Sequence, residues 1–403
     1  MKKRYYLSFI SISLLCVSIL SGCKGKNPEA GENISANQNL ERAAETLDSL
    51  YAHYSIEGTA LLRETFPFDD QHKATYLASE EQAETPNAYS YLWPYSGTFS
   101  AVNILFETTK DAEYKRILDE QVLVGLEKYL DTKRMPAAYS SYVNEALESD
   151  RFYDDNIWLG IDFTDTYLLT NEKHYLDKAE LIWQFIQSGT DDQLGGGIYW
   201  CEQKKTSKNS CSNAPGAVYA LKLFIATGDS SYFHQGLALY DWTKANLQDT
   251  EDYLIYDNIR LDGSVDKRKY AYNSGQMLQA ASILYKLTQN EIYLDEACKI
   301  AESCSSYFFV DFTGKDQNVV RLIKNGDIWF TAVMLRGFVE LYTINKDKTY
   351  LDLFNASLNH AWNNMRDENG LFNTDWTGQK KDDKKWLLTQ AAMVEMYARL
   401  AFL

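Results

Sequence analysis

The sequence predicts an all-α fold, an (α/α)6 barrel of six helical hairpins, and three patterns predict it. First, an apolar run repeatedly ends in a polar turn, after which a Tyr begins a second helical run. The instances are Thr109-Lys110-Asp111 before Tyr114, Thr170-Asn171-Glu172 before Tyr175, Thr227-Gly228-Asp229 before Tyr232, Thr288-Gln289-Asn290 before Tyr293, and Asn345-Lys346-Asp347 before Tyr350. The Tyr spacings of 61, 57, 61 and 57 residues equal one helical hairpin plus one long connection. Second, the two helices of each pair differ in pattern. Third, their connections differ in length, short one way and long the other.

The elements follow in order. Residues 40–53 read as a lone helix with one apolar stripe. The helix that starts within 153–158 and runs to Leu169 is an inner one, as are the almost wholly apolar runs 217–226, 275–287 and 330–341. A helix apolar all round is buried; a striped one, such as 175–186 with Asp177, Lys178, Glu180 and Gln184 on one side, faces water. A last apolar helix at 387–400 pairs with the first and closes a ring of twelve. The long returns 131–156, 189–213, 248–273, 310–327 and 367–385 then gather at the N-terminal ends of the inner helices, joined by 63–93. Long loops on a rigid scaffold are where sites are built. Residues 253–262 have room for a small hairpin.

The amino terminus reads as an export signal. Lys2, Lys3 and Arg4 precede an apolar run at 7–20, too short to span a bilayer, which ends in Leu20-Ser21-Gly22-Cys23. This resembles a bacterial lipobox, so residues 1–22 are expected to be a lipoprotein signal peptide and Cys23 the lipidated residue. Residues 23–37 are then a flexible tether, and 38–403 one catalytic domain. The expected location is a membrane-anchored lipoprotein of the periplasm or cell surface, with the lipid as sole membrane contact.

Composition narrows the partners. With 40 basic and 56 acidic residues the net charge is −16, which repels phosphate backbones and excludes a nucleic-acid binder. Aromatic content of 14%, with 29 Tyr and 9 Trp, permits stacking on sugar faces. Cys201 and Cys211 flank a loop and could pair in an exported protein, whereas Cys298 and Cys304 point to different faces of a helix. The five His residues are scattered and no zinc spacing occurs, so neither metal nor cofactor is expected.

The sharpest motif is Tyr153-Asp154-Asp155-Asn156-Ile157-Trp158, at the start of an inner helix. Helix capping accounts for one Asp; two adjacent ones exceed it. A carboxylate pair offers the two roles that glycoside hydrolysis needs, an acid for the leaving oxygen and a second group to attack or to activate water. Two further loops face the same mouth. One carries Gly195-Gly196-Gly197-Ile198-Tyr199-Trp200 and continues to Lys208-Asn209 and Asn213; the other carries Tyr272-Asn273-Ser274-Gly275. Asp191, Asp192, Asp257, Asp262 and Asp327 are loop acids that solvation or capping explains, and Trp93, Trp329, Trp376 and Trp386 are candidate sugar platforms.

The order Asp-Asp-Asn-x-Trp, Gly-Gly-Gly-Ile-x-Trp, Lys-Asn-x-x-x-Asn and Tyr-Asn-x-Gly, over roughly residue 40 to the C-terminus, is similar to glycoside hydrolase family 76, the α-1,6-mannanases. One departure is Ser274, where Gln is more usual. The resemblance implies an endo-acting, retaining enzyme on α-1,6-mannan or manno-oligosaccharides, acting as a monomer. Asp154 would be the nucleophile and Asp155 the acid/base. Tyr153, Asn156, Trp158, Gly196, Gly197, Trp200, Asn209, Asn213, Tyr272 and Asn273 would bind substrate. Two alternatives stay open: another (α/α)6 sugar-active enzyme, which would want basic residues or a His pair at the mouth and finds support from neither in the long loops, and a glycan-binding lipoprotein without catalysis.

Overall fold

Ser35 starts the first helix: its Oγ accepts from the Gln38 amide at 3.2 Å while Gln38 Oε1 accepts from the Ser35 amide at 3.0 Å. This capping box places the start of the helical domain at residues 35–36, two residues inside the expected tether, because Ser-x-x-Gln satisfies helix-end amides whatever the polarity around it. The computed structural model describes residues 35–69, 71–79, 87–314 and 317–402. The expected signal peptide, Cys23 and the tether up to residue 34 lie outside the described residues.

Twelve helices follow among the described residues. The inner six are α2 (Leu92–Thr109), α4 (Tyr153–Thr170), α6 (Ser210–Thr227), α8 (Ala271–Thr288), α10 (Ile328–Asn345) and α12 (Leu387–Ala401). Around them lie α1 (Ala36–Tyr54), α3, α5 (Lys173–Ser188), α7 (Ser230–Leu247), α9 (Glu291–Tyr307) and α11 (Thr349–Asn364). Here α3 is one path of Ala112–Ile117, a π turn Leu118–Val122 and Leu123–Leu126. The Tyr95 hydroxyl causes that irregularity: it donates to the Val122 carbonyl at 3.0 Å and leaves no room for a Cβ at Gly125. Each inner helix packs on the next, α12 packs on α2, and α1 packs on α12, which closes the barrel. Burial separates the layers, with 14 of 18 residues buried in α2 against 6 of 16 in α5.

The recurring Thr-x-Asp phrase has a local cause. Thr109, Thr170, Thr227 and Thr288 each accept through the hydroxyl from the amide two residues on. The residue between is left-handed, with Lys110, Asn171, Gln289 and Lys346 at φ 56–59° and Gly228 at 74°. Asp111, Asp229 and Asn290 then cap the outer helix through its amides.

Short antiparallel strands trim the loops: β1 (Thr65–Phe66) with β9 (Lys385–Trp386), β2 (Leu130–Asp131) with β3 (Ala138–Tyr139), and β7 (Phe309–Thr313) with β8 (Val319–Ile323). The larger sheet orders β4 (Ser207–Asn209), β5 (Tyr256–Arg260) and β6 (Val265–Lys269), with Ser207 opposite Arg260. The hairpin with room at 253–262 therefore forms three residues later and gains a third strand. The β7–β8 hairpin fills a return read as irregular loop; Phe309 enters the core at its start while Val310 and Asp311 are exposed.

Candidate active site

The loops before the inner helices enclose a cavity of about 830 Å³. Its deepest groups are Asp154, Asp155, Trp158, Cys211 and Tyr272; Tyr76, Tyr91, Trp93, Trp200, Tyr270 and Phe330 supply aromatic walls. Segment 151–153 runs antiparallel to 200–202, with the Tyr153 amide donating to the Trp200 carbonyl at 2.9 Å and the Glu202 amide to the Arg151 carbonyl at 3.0 Å. Below it the buried Arg151 forks onto both Glu202 oxygens at 2.7 and 2.5 Å. That pairing sets the Trp200 indole beside the first turn of α4, where its Nε1–H donates to Asp154 Oδ2 at 3.2 Å.

Asp154 and Asp155 occupy the first turn of α4, and both line the cavity. Consecutive helical residues project about 100° apart, yet from the first turn both reach one space. Burial raises Asp154 to about 6, against the Cys211 thiol, backbone amides and the Trp200 indole, which lower it. Burial, and then the charge of Asp154, push Asp155 well above the carboxylate range. Asp154 Oδ1 is buried and makes no hydrogen bond of ordinary geometry among the described residues, so one oxygen of this carboxylate is held by Trp200 and the other is unpaired. At neutral pH the pair is one carboxylate beside one carboxylic acid.

Of the residues expected at the site, Asp154, Asp155, Trp158, Trp200, Asn209 and Tyr272 line the cavity. Tyr272 lies flat on Phe330, centroids 3.9 Å apart and planes 5° from parallel. Six others do not reach it. Tyr153 is wholly buried, stacked on Phe185 at 4.6 Å and covering Gly189. Asn156 is a clamp: its Oδ1 accepts from the Tyr139 amide at 2.8 Å, and its Nδ2 donates to the Tyr139 and Phe152 carbonyls. Asn213 does the same at the same helical position, accepting from the Ile198 amide at 2.6 Å and donating to the Ile198 and Asn209 carbonyls. Gln390 clamps Phe372 likewise, and the Ser274 hydroxyl accepts from the Ile255 amide at 3.0 Å. Ser274 therefore departs from Gln at a clamp, not at a sugar contact. Asn273 is buried beneath the floor. Gly196 and Gly197 sit in a separate cleft, at φ 119° and 82°, where a Cβ on Gly197 would meet the Trp242 ring at 2.7 Å. The glycines are required by the turn and by Trp242.

Among the candidate platforms Trp93 lines the cavity, Trp329 and Trp376 are core, and Trp386 packs edge-on behind Trp93 at 5.3 Å. Asp257 lines the cavity and is raised by burial. Asp327 caps α10, Asp191 pairs with the buried Lys208 at 2.7 Å, and Asp262 accepts from the Ser264 amide. Cys201, Cys211 and Cys304 are buried free thiols, so the Cys201–Cys211 pairing is not made.

Tyr76 belongs to no motif of the sequence, yet it lines the cavity. Buried Glu64 accepts from the Tyr76 hydroxyl at 2.6 Å, Asn87 Nδ2 at 2.8 Å, the Tyr91 amide at 3.0 Å and Trp386 Nε1 at 3.2 Å, which ties Tyr76 and Tyr91 into the cavity wall. Basic residues also stand at the mouth: Lys204, Arg260 and Arg268 all line it. Their signal was in the sequence, but only the β4–β5–β6 sheet brings them together.

The model for "Glycosyl hydrolase family 76" matches residues 68–402. A family 76 mannosidase from Bacteroides thetaiotaomicron superposes with a TM-score of 0.83 at 35% identity, covering 91% of this chain and 98% of its own. An α-1,6-mannanase from Salegentibacter superposes at 0.70 with 26% identity, over 90% of this chain and 99% of its own. An inactive form of that enzyme, with two consecutive aspartates replaced by asparagine, has been solved with α-1,6-mannotriose. A mannan endo-1,6-α-mannosidase from Candida albicans is 28% identical over 148 residues, 34% of this chain and 32% of the relative. The chain thus matches about a third of the length of such curated relatives.

Proposed function

The chain belongs to glycosyl hydrolase family 76, and from that premise we propose that it is a retaining endo-α-1,6-mannanase with Asp154 as nucleophile and Asp155 as acid/base. The observation that carries this reading is the adjacent acid pair lining an aromatic-walled cavity, one oxygen of Asp154 held and the other buried without a partner. The consecutive aspartates replaced in the inactive Salegentibacter enzyme support the assignment.

In this mechanism Asp154 Oδ1 attacks the anomeric carbon of a mannosyl unit while Asp155 gives its proton to the departing O6. The glycosyl-enzyme ester on Asp154 is then opened by a water that Asp155 deprotonates, which returns both groups to their starting states. Consecutive Cα atoms are about 3.8 Å apart, so short Asp side chains reach a carboxyl separation of roughly 5–6 Å more readily than the 6.5–9.5 Å an inverting water requires. The protein is a monomer anchored through lipid on Cys23, in the periplasm or at the cell surface. Substituting Cys23→Ala tests the anchor by releasing the protein from the membrane fraction.

The direct test is incubation with linear α-1,6-mannan. The reading expects oligosaccharides of mixed length from the start, and their loss in Asp154→Asn and Asp155→Asn with the fold intact. Binding without release would leave a glycan-binding protein instead.

A further inference from the structure

The chain carries an excess of 16 negative charges, yet one wall of the cavity mouth is basic. Lys204, Arg260 and Arg268, with Asp257 and Asp266 among them, stand on the wall built by the 201–206 loop and the β4–β5–β6 sheet, while Tyr76, Tyr91 and Trp93 offer neutral rings. All three cations are exposed. Arg268 is committed, pairing with Asp266 at 2.6 Å and reaching Asp257 at 3.5 Å. The Lys204 ammonium and the Arg260 guanidinium make no hydrogen bond or direct ion pair with the described residues, although Asp150 feels the charge of Lys204, and Asp262 and Asp266 that of Arg260. Lys208, on the adjoining strand, shows the contrast: it is fully buried and consumed by Asp191 and the Gln193 and Gly196 carbonyls.

A neutral mannan presents only hydroxyls to such a wall, and these give neither cation a directly bound counter-ion. From this juxtaposition of unpaired cations and acid pair in one cavity, we infer that the substrate is an α-mannoside chain carrying an oxyanion substituent, which Lys204 and Arg260 receive. A phosphate ester and a uronic acid branch share that chemistry. The guanidinium fork can take two oxygens of either, and the ammonium adds a point charge. This inference rests on the mannanase reading above.

The test compares kcat/KM on three α-1,6-manno-oligosaccharides of equal length: unsubstituted, phosphorylated and uronate-branched. At low ionic strength the wild type is expected to favour an anionic one roughly tenfold, and the preference should fall towards one at about 0.5 M salt, where exposed charges are screened. It should also collapse in the Lys204→Gln, Arg260→Gln double variant and persist in the charge-keeping Lys204→Arg, Arg260→Lys variant. The larger of the two anionic ratios identifies phosphate or carboxylate. Equal rates on all three, or a preference that survives the double Gln variant, overturn the inference and leave the mannanase reading standing. Should none be cleaved, the mannanase reading fails; calorimetric binding of the three to wild-type protein then decides the inference, tighter anionic binding supporting it and equal binding overturning it.

Discussion

Replacing Trp200 with Phe removes one hydrogen from the site and keeps a ring against Phe152, where the centroids now lie 4.9 Å apart. The lost contact is the indole Nε1–H donated to Asp154 Oδ2 at 3.2 Å, which favours the ionised carboxylate. A bond to a charged group is worth about 1.5–3 kcal/mol, and the length of this one and the partial exposure of Asp154 reduce it to about 1 kcal/mol. At about 1.4 kcal/mol per pH unit, the acid limb of the kcat/KM profile, set by ionisation of Asp154, should move up by about 0.7 unit. On the plateau the rate falls about three- to tenfold, since the released oxygen no longer holds the carboxylate in line. The assay is the pH dependence of kcat/KM on an α-1,6-manno-oligosaccharide for both proteins. A limb that stays in place, or moves down, would refute the claim that Asp154 must be ionised and that Trp200 keeps it so.

Asp155→Asn should abolish turnover yet raise Tm by about 1–4 °C at pH 7–8 and not at pH 4. Burial and the Asp154 charge raise the folded pKa of Asp155, so its favourable contribution is present below the unfolded value and is lost as pH rises through the folded one; calorimetry at the two pH values checks it. In the barrel interior, Arg336 forks onto Glu395 at 2.7 and 2.9 Å, both buried. Against burial, Arg336 and then Arg399 pull Glu395 down to about 2, so this stabilisation is present above pH 4.5 and lost towards pH 2. Glu395→Gln should cost about 3 kcal/mol in urea unfolding, at the low end for an orphaned buried charge because Asp162 stands by to ionise. Asn213→Leu keeps the branched side-chain skeleton but strips both clamps from Ile198; a loss of about 1–3 kcal/mol is expected from the same titration, together with a raised KM as the Trp200 segment loosens.

Much of this fold was legible because its signals are local. Thr-x-Asp turns report on hydrogen bonds within five residues, and an all-round apolar run can only be an inner helix. The acid pair was legible because capping cannot use two adjacent Asp residues at once. The misplacements share one cause: an Asn in the first turn of an inner helix reads alike as cap, clamp or ligand. Asn156 and Asn213 turned out to face the loop before the helix, and Asn209, four residues earlier, to face the cavity. The Gly195–Gly197 turn has the composition of a ligand loop, but its small residues serve Trp242, which is distant in sequence. Tyr76, Cys211 and the basic wall are non-local, brought to the mouth by Glu64 and by a sheet whose third strand comes from another repeat.

The central claim is that Asp154 and Asp155 act by double displacement on α-1,6-linked mannose, and proton NMR of the first-formed product tests it most directly. The mechanism predicts that the α-anomer of the released reducing end appears first and mutarotates to the β-anomer only later. First appearance of the β-anomer would contradict it and require a second catalytic carboxylate farther from Asp154, with Asp257 in the same cavity as its place.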